Sequence, residues 1–185
     1  SIFSLSISPD SSMIAIIGRK SDSMYDSGLY TMTTDTNHTV SEIHFGTLTS
    51  APSWSFDGQK ITVAEYRRGD NGSLINDIRL IDIGNETKSW ITDNKRAGFP
   101  QFSPSQNELL FTSHIGETTQ LFIHNFDDSQ VKQISNFEGD FQVQHPSWSS
   151  DGNQIAFTIQ DENGLVDIAT MSINGDNYKK LRDKK

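Results

Sequence analysis

The sequence predicts an all-β protein made of four copies of one four-stranded antiparallel unit, and two observations lead to this prediction. The first is a motif, Pro-Ser-Trp-Ser-Phe-Asp-Gly at 52–58, which returns as Pro-Ser-Trp-Ser-Ser-Asp-Gly at 146–152. The second is its spacing, since weaker copies of the motif give successive intervals of 47, 48 and 46 residues. The serines that define these intervals, called anchor serines, are Ser8, Ser55, Ser103 and Ser149. A nearly constant period across most of the chain indicates a repeat architecture.

Each unit opens with two strands joined by a short turn. A large apolar residue precedes every anchor serine, and apolar residues follow it at the sixth and eighth positions, a period of two that is typical of a strand. These positions hold Ile7, Ile14 and Ile16, then Trp54, Ile61 and Val63, then Phe102, Leu109 and Phe111, then Trp148, Ile155 and Phe157. Proline at 52, 100 and 146 precedes the first strand's core, where a missing N–H costs least.

The turns between these strands are marked by aspartate. Asp57-Gly58 and Asp151-Gly152 predict tight hairpin turns whose central residues have positive φ. Because Asp10, Asp57 and Asp151 recur at the same place in separate units, we interpret them as turn formers and not as a carboxylate cluster. Their side chains are expected to accept the backbone N–H two residues further on.

The repeat resembles a known family. Pro-x-Trp-Ser-x-Asp-Gly, followed by Ile-Ala-Phe-Thr at 155–158 and Asp-Ile-Ala-Thr-Met-Ser-Ile-Asn-Gly at 167–175, is similar to the PD40 propeller repeat of TolB-like proteins. The resemblance extends over all four units and is strongest in the second and fourth, since Asp10-Ser11 and Ser105-Gln106 replace Asp-Gly in the others. It implies a β-propeller built of four PD40-type four-stranded antiparallel blades.

We place the four blades at residues 1–46, 47–93, 94–136 and 137–182, followed by a basic tail at 183–185. The predicted strands are 2–8, 12–17, 28–33, 39–45, 51–56, 60–66, 77–83, 87–92, 99–103, 108–113, 119–126, 130–135, 146–149, 154–159, 166–173 and 177–182. Third strands such as the one at 77–83 are partly apolar on both faces, as expected for sheets covered on both sides. No segment predicts a helix.

Two ways of completing the array stay open. In one, the four blades are consecutive members of a larger ring, as the resemblance to six-bladed TolB propellers implies. In the other, they close on themselves or pair with another copy. We favour the larger ring, because an open array exposes apolar faces at both ends. The first unit also begins directly at Ser1, which predicts a processed or excised chain.

Composition excludes several classes of partner and site. The formal net charge is −9, and residues 1–178 carry 10 basic and 23 acidic side chains, so nucleic acid is not expected as a partner. The absence of cysteine excludes disulfides and thiolate metal sites. No apolar run approaches the roughly 18 residues of a membrane span.

Antiparallel strand order predicts where a partner would bind. It collects the loops between second and third strands, near 18–28, 67–76, 114–118 and 160–165, on one rim with the connections between blades. Because these loops are expected to be the long ones, and loops on a rigid scaffold commonly carry binding sites, we predict partner docking on this rim. The aromatic, arginine and histidine side chains predicted to contact a partner are Tyr25, Arg67, Arg68, His114, Phe141 and His145.

Catalytic signatures are missing from the sequence. It has no Gly-x-Ser-x-Gly, no P-loop and no His-Glu-x-x-His, and its five histidines have no metal-ligand spacing. Acidic loops at 70–73 and 161–164 lack the full calcium pattern. We therefore expect no catalytic residue, no cofactor and no metal.

The resemblance implies a non-enzymatic protein-interaction scaffold in the bacterial periplasm, bound to a protein or peptide partner of the cell envelope. An alternative is the substrate-gating propeller of a prolyl-oligopeptidase-type S9 peptidase. A third interpretation is a propeller lyase or hydrolase with an axial metal.

Overall fold

The computed structural model of the protein describes residues 1–19 and 27–181, and within them it contains sixteen strands and no helix. The strands are β1 (Ile2–Ile7), β2 (Met13–Gly18), β3 (Ser27–Thr33), β4 (Val40–Gly46), β5 (Ser53–Trp54), β6 (Lys60–Arg68), β7 (Leu74–Asp82), β8 (Thr87–Trp90), β9 (Ala97–Phe102), β10 (Glu108–Ile115), β11 (Thr118–Asn125), β12 (Val131–Gln133), β13 (Gln142–Trp148), β14 (Gln154–Gln160), β15 (Val166–Ser172) and β16 (Lys179–Lys180). Each corresponds to a strand that the sequence predicts, so the all-β prediction is confirmed.

The strands form four separate four-stranded sheets, called blades 1 to 4. Their strand orders are β1-β2-β3-β4, β5-β6-β7-β8, β9-β10-β11-β12 and β13-β14-β15-β16. Within each blade, consecutive strands are therefore hydrogen-bonded neighbours. The pairs with a resolved register are antiparallel. Residues 1–100 form one compact unit and residues 101–185 a second, with blades 1 and 2 in the first and blade 4 and most of blade 3 in the second.

One backbone hydrogen bond recurs at every anchor serine. The serine N–H donates to the carbonyl oxygen five residues later, closing the turn between the first two strands. The four N···O distances are 2.8 Å for Ser8 to Met13, and 2.9 Å for Ser55 to Lys60, Ser103 to Glu108 and Ser149 to Gln154. The repeat in the sequence is therefore a repeat of backbone geometry.

The aspartates of these turns act as predicted. Asp10, Asp57 and Asp151 accept the N–H of the residue two positions later at 3.0, 3.0 and 3.1 Å. Each also accepts the anchor serine hydroxyl, at 2.7, 2.5 and 2.5 Å, and that hydroxyl accepts an N–H from the second strand. The repeat in the sequence predicts the aspartate contacts but not this role of the anchor serine.

The predicted turn type needs a correction. Within the 55–58 turn of the second blade, only Gly58 has positive φ, at 70°. Its N–H donates to the Ser55 carbonyl, so the turn is the four-residue Ser-Phe-Asp-Gly. The fourth blade repeats this with Gly152 at 72°. Two positive central residues would be needed only in a two-residue hairpin loop. In blade 1, Ser11 takes the glycine place with φ 61°.

The core of the first unit lies between blades 1 and 2. Ala15, Ile17 and Leu29 of blade 1 cluster with Trp54, Ile61, Val63 and Ile81 of blade 2, all buried. The Trp54 indole N–H also donates to the carbonyl of Ser6 on β1, at 3.1 Å. Apolar burial and the indole hydrogen bond therefore both help to hold the two blades together.

The second unit repeats this arrangement. Leu110 and Leu121 of blade 3 cluster with Val143, Ile155 and Phe157 of blade 4, which are all buried. The cluster also contains Ile123, Ile134, Ile159, Ala169 and Met171. The Trp148 indole N–H donates to the Gln101 carbonyl at 2.9 Å, as Trp54 does to Ser6. The equivalent tryptophans thus have equivalent surroundings.

Candidate functional site

The strand order places the loops of each blade on two opposite edges. The anchor-serine turn and the turn between third and fourth strands lie on one, called the lower edge. The hairpin between second and third strands and the connection leaving the fourth strand lie on the other, called the upper edge. Within each blade, this is the loop placement that the sequence predicts.

The predicted difference in loop length is wrong for the described hairpins. On the upper edge of blades 2 to 4, the loops between second and third strands are residues 69–73, 116–117 and 161–165. These loops contain no more residues than the anchor-serine turns on the lower edge. The strands continue further than their apolar pattern, since Arg68 pairs with Leu74 and Ile115 with Thr118. Among the upper-edge loops and connections that the structure describes in full, the connection at 134–141 is the longest.

The six predicted partner-binding residues therefore need individual placement. Arg67 and Arg68 end strand β6, His114 lies in β10 and His145 in β13, so these four are strand residues and not loop residues. The strand pairing of Arg67, Arg68 and His114 is made by backbone groups, which polar side chains do not prevent. Phe141 lies in the connection before β13, as predicted. Tyr25 lies outside the described residues, as does the predicted tail at 183–185.

Arg67 is held by a cluster at the upper part of blade 2. One guanidinium nitrogen lies 2.9 Å from the Asp93 carboxylate and 3.9 Å from that of Asp77. The guanidinium carbon lies 4.9 Å from the centre of the Trp90 ring, a cation–π distance. The Arg67 side chain is 24 % exposed and the Asp93 side chain 74 % exposed. The arginine of the ion pair is therefore mostly buried, whereas its aspartate is accessible from solvent.

Trp90 organises this cluster, which sequence analysis missed. The Arg79 guanidinium carbon lies 4.3 Å from the Trp90 ring centre, and Arg79 pairs with Trp90 across β7 and β8. Across β6 and β7, Glu65 pairs with Asp77. Because side chains alternate along a strand, these residues and Arg67 share one face of the blade. The alternation is visible in the sequence, but grouping the residues requires the register of three strands.

Asp77 fixes the connection that leaves the blade. Its buried carboxylate accepts the Thr92 hydroxyl at 2.8 Å and the backbone N–H groups of Asn94 and Lys95 at 2.8 and 3.1 Å. Asn94 in turn accepts the N–H of Asp70 in the neighbouring hairpin at 3.1 Å. The exposed carboxylates of Asp70 and Asp93 therefore stand on a braced part of the upper edge.

A buried side-chain contact between a histidine and a glutamate joins blades 1 and 2 beside this cluster. His44 Nε2 on β4 lies 2.9 Å from Glu65 Oε2 on β6, and both residues are 8 % exposed. Arg79 Nε lies 3.6 Å from the same oxygen. Gly46 leaves the space that the Glu65 carboxylate occupies, since a β-carbon there would collide with it.

The other predicted residues lie in blades 2, 3 and 4. An Arg68 guanidinium nitrogen donates to the carbonyl of Gly72 in its own hairpin at 3.1 Å. Phe141 is half-buried, and its ring centre lies 6.3 Å from the ring centre of Phe137. The Lys180 ammonium lies 5.8 Å from the ring centre of Phe141. His114 and His145 are exposed, and His145 has φ 50° where β13 shifts register.

The described part of the chain was also compared with the requirements of a metal site and of a membrane span. Within residues 1–19 and 27–181, no group of three or more histidine, cysteine, aspartate or glutamate side chains is placed to hold a metal ion. Over the same residues, no helix has the length and apolar character that a membrane crossing requires.

Comparisons with known proteins agree with this architecture. The family model described as the TolB beta propeller domain, PD40, matches residues 1–185. Among solved structures, TolB from Acinetobacter baumannii is 22 % identical to this chain with a TM-score of 0.80. The match covers 98 % of this chain and 43 % of the TolB chain. The structure described as putative TolB from Agrobacterium tumefaciens is 24 % identical with a TM-score of 0.79, and the match covers 97 % of this chain and 64 % of that protein.

Enzymes share the fold as well. A puromycin-hydrolyzing peptidase from Mycobacterium tuberculosis is 12 % identical with a TM-score of 0.74, and the match covers 98 % of this chain and 28 % of the peptidase. At these identities the likeness concerns the fold. The chain spans 43 % and 64 % of the length of the two TolB structures that it matches.

Proposed function

Because this chain belongs to the PD40 family of TolB beta propeller domains, we propose that it is a non-catalytic scaffold that docks a protein or peptide partner on the upper edge of blade 2. The observation that carries the proposal is the braced ion pair of Arg67 and Asp93 on Trp90. Arginine and tryptophan are the residue types that most often dominate interface energetics.

Pre-organisation supports this choice of surface. Trp90 and Asp77 hold the Arg67 guanidinium before a partner arrives, so that less conformational entropy is lost on binding. Asp70 and Asp93 add exposed negative charge at the same place, on a chain whose formal net charge is −9. A partner with basic side chains fits this surface, since complementary charge speeds association and sets orientation.

The experiment is a selection of peptides from a random display library, followed by titration of the enriched peptides. We expect basic peptides, bound about tenfold or more weakly by Asp93→Lys and by Asp70→Lys because each change reverses a charge at the surface. Glu86→Lys is the matched control, since Glu86 is an exposed acid on the lower edge of the same blade. Equal weakening by Glu86→Lys would show a general charge effect and would refute the site.

We also propose a location in the periplasm, with a cell-envelope protein as partner. The support is membership of the TolB propeller family. Fractionation of cells that carry the native gene tests this, and a protein found only in the cytoplasmic fraction would refute it.

A second candidate function is the substrate-gating propeller of an S9-type peptidase. The structural likeness to the puromycin-hydrolyzing peptidase favours it. No Gly-x-Ser-x-Gly occurs in these 185 residues, so the nucleophile would come from elsewhere in a longer polypeptide. Sequencing the open reading frame on both sides decides between the two, because an α/β-hydrolase pattern would establish the peptidase.

A further inference from the structure

A cavity of about 760 Å³ lies between blades 3 and 4, within the second compact unit. One wall is formed by residues of 133–137, at the end of β12, and the other by residues of 174–178, before β16. This volume is within the range of about 300–1,000 Å³ that is typical of sites for small molecules. We call it the blade 3–4 cavity.

The apolar part of the lining is well packed. The Tyr178 ring centre lies 5.4 Å from that of Phe137 and 6.3 Å from that of Phe157, on which the tyrosine stacks at an interplanar angle of 24°. A β-carbon on Gly175 would lie 2.6 Å from the Ile134 carbonyl oxygen, so the glycine lets the two walls approach each other. These contacts shape the cavity before a ligand binds, which lowers the entropic cost of binding.

Several polar groups of the lining are available to a ligand. In the part of the chain that the structure describes, neither the Tyr178 hydroxyl nor the Asn136 side-chain amide has a hydrogen-bond partner. Both residues are exposed, Tyr178 by 42 %. Partial burial, and then the negative charge of Asp167, raise the pKa of Tyr178 above its ordinary value. The Tyr178 hydroxyl therefore stays protonated at neutral pH and can donate a hydrogen bond.

The charges of the lining favour a neutral ligand. Among the described residues that line the cavity, Asp176 alone is charged at neutral pH, and it accepts the Asn174 side-chain amide at 2.7 Å. Because no lysine, arginine or histidine is among them, a phosphate or carboxylate group would meet no opposite charge there. Amide, phenol and carboxylate groups together match a ligand rich in hydroxyl groups, since each hydroxyl can donate and accept. The C–H face of a sugar ring also supplies apolar surface for an aromatic ring.

The repeat separates Tyr178 from the residues that build a blade. When the register of third and fourth strands is continued, Lys88 and Val131 occupy the place of Tyr178 in blades 2 and 3. A blade therefore forms without an aromatic side chain at this position, which favours a binding role for Tyr178.

From these observations we propose that the blade 3–4 cavity binds a neutral sugar chain. A sugar ring packs against Tyr178, and its hydroxyl groups form hydrogen bonds with Asn136 and Asp176. The cavity belongs to different blades from the docking surface of blade 2, so this proposal does not depend on that one.

An NMR titration of the isotope-labelled chain tests the proposal. The probes are maltotriose, cellotriose and chitotriose, which are neutral trisaccharides, and pentaglycine, which is an uncharged-backbone peptide without side chains. We expect at least one trisaccharide to shift the backbone amide signals of 133–137 and 174–178, with a dissociation constant of about 1 mM or lower. Pentaglycine is expected to leave these signals unchanged.

Substitutions in the cavity identify the groups that bind the sugar. Tyr178→Leu is expected to weaken binding about tenfold, because it removes both the ring and the hydroxyl. Asn136→Ala and Tyr178→Phe are each expected to weaken it about fivefold, the effect of one lost hydrogen bond. Tyr66→Leu and Asn163→Ala are the matched controls, since both residues are exposed and lie outside the cavity. Circular dichroism confirms that each variant folds.

Three results would overturn the proposal. The first is that no trisaccharide shifts these signals at ten times the expected dissociation constant. The second is a sugar that binds Asn136→Ala and Tyr178→Phe as tightly as the unchanged chain. The third is a shift caused by pentaglycine and by none of the sugars, which would assign the cavity to a peptide.

Discussion

Replacing Trp54 by phenylalanine tests how the repeat joins neighbouring blades. The change keeps an aromatic ring at a site that is 6 % exposed, but it removes the N–H that donates to the Ser6 carbonyl at 3.1 Å. Losing this bond costs about 1 kcal/mol, and more where the carbonyl stays unsatisfied. The smaller ring adds a cavity cost of about 1 kcal/mol. The sum is a loss of about 2 kcal/mol in the free energy of unfolding.

Urea unfolding at 25 °C measures this loss. With a denaturant dependence of about 2 kcal/mol per molar, the midpoint is expected to fall by about 1 M. Replacing Trp54 by benzothienylalanine isolates the hydrogen bond, because this residue keeps the bicyclic shape and lacks the N–H. An unchanged midpoint in both variants would refute the role assigned to the indole.

Three further predictions concern single side chains. Gly46→Ala is expected to destabilise the fold by about 1–2 kcal/mol, since the new methyl group collides with Glu65, and thermal unfolding measures this. Thr92→Val is expected to lower the free energy of unfolding by about 2 kcal/mol, as measured by urea unfolding. The buried Asp77 carboxylate loses the hydrogen bond from the Thr92 hydroxyl, and water does not replace it. Hydrogen bonds from the Ser8 hydroxyl and then from Ser12 lower the pKa of Asp10 from 3.8 to about 2. The stabilising contribution of Asp10 is therefore present above about pH 4 and is lost as the pH falls through 2. The NMR chemical shift of the Asp10 carboxyl carbon, followed against pH, measures this titration. A titration midpoint near pH 3.8 would contradict the hydrogen bonds of the turn.

The strands were predictable because their signals are local. Large apolar residues at fixed offsets from each anchor serine mark the first two strands of every blade, and burial of Ile61, Leu109 and Ile155 confirms the offsets. Strand ends were less predictable. The predicted strand ends at 66, whereas Arg67 and Arg68 continue β6 through backbone pairing with β7, which the polarity of their side chains does not reveal.

The candidate site was less accessible to sequence analysis. The sequence predicts that Arg67 lies in a loop, whereas its position depends on Trp90 and Asp77 in two other strands. Such a cluster becomes visible only when the cross-strand register is known. The role of Asp57 was predictable because an aspartate turn needs only neighbouring residues.

The central claim, that one blade geometry is repeated four times, is tested most directly by NMR couplings across hydrogen bonds. The structure predicts a coupling from each anchor serine N–H to the carbonyl five residues later, at Ser8, Ser55, Ser103 and Ser149 alike. Couplings in the second and fourth copies without those in the first and third would contradict it.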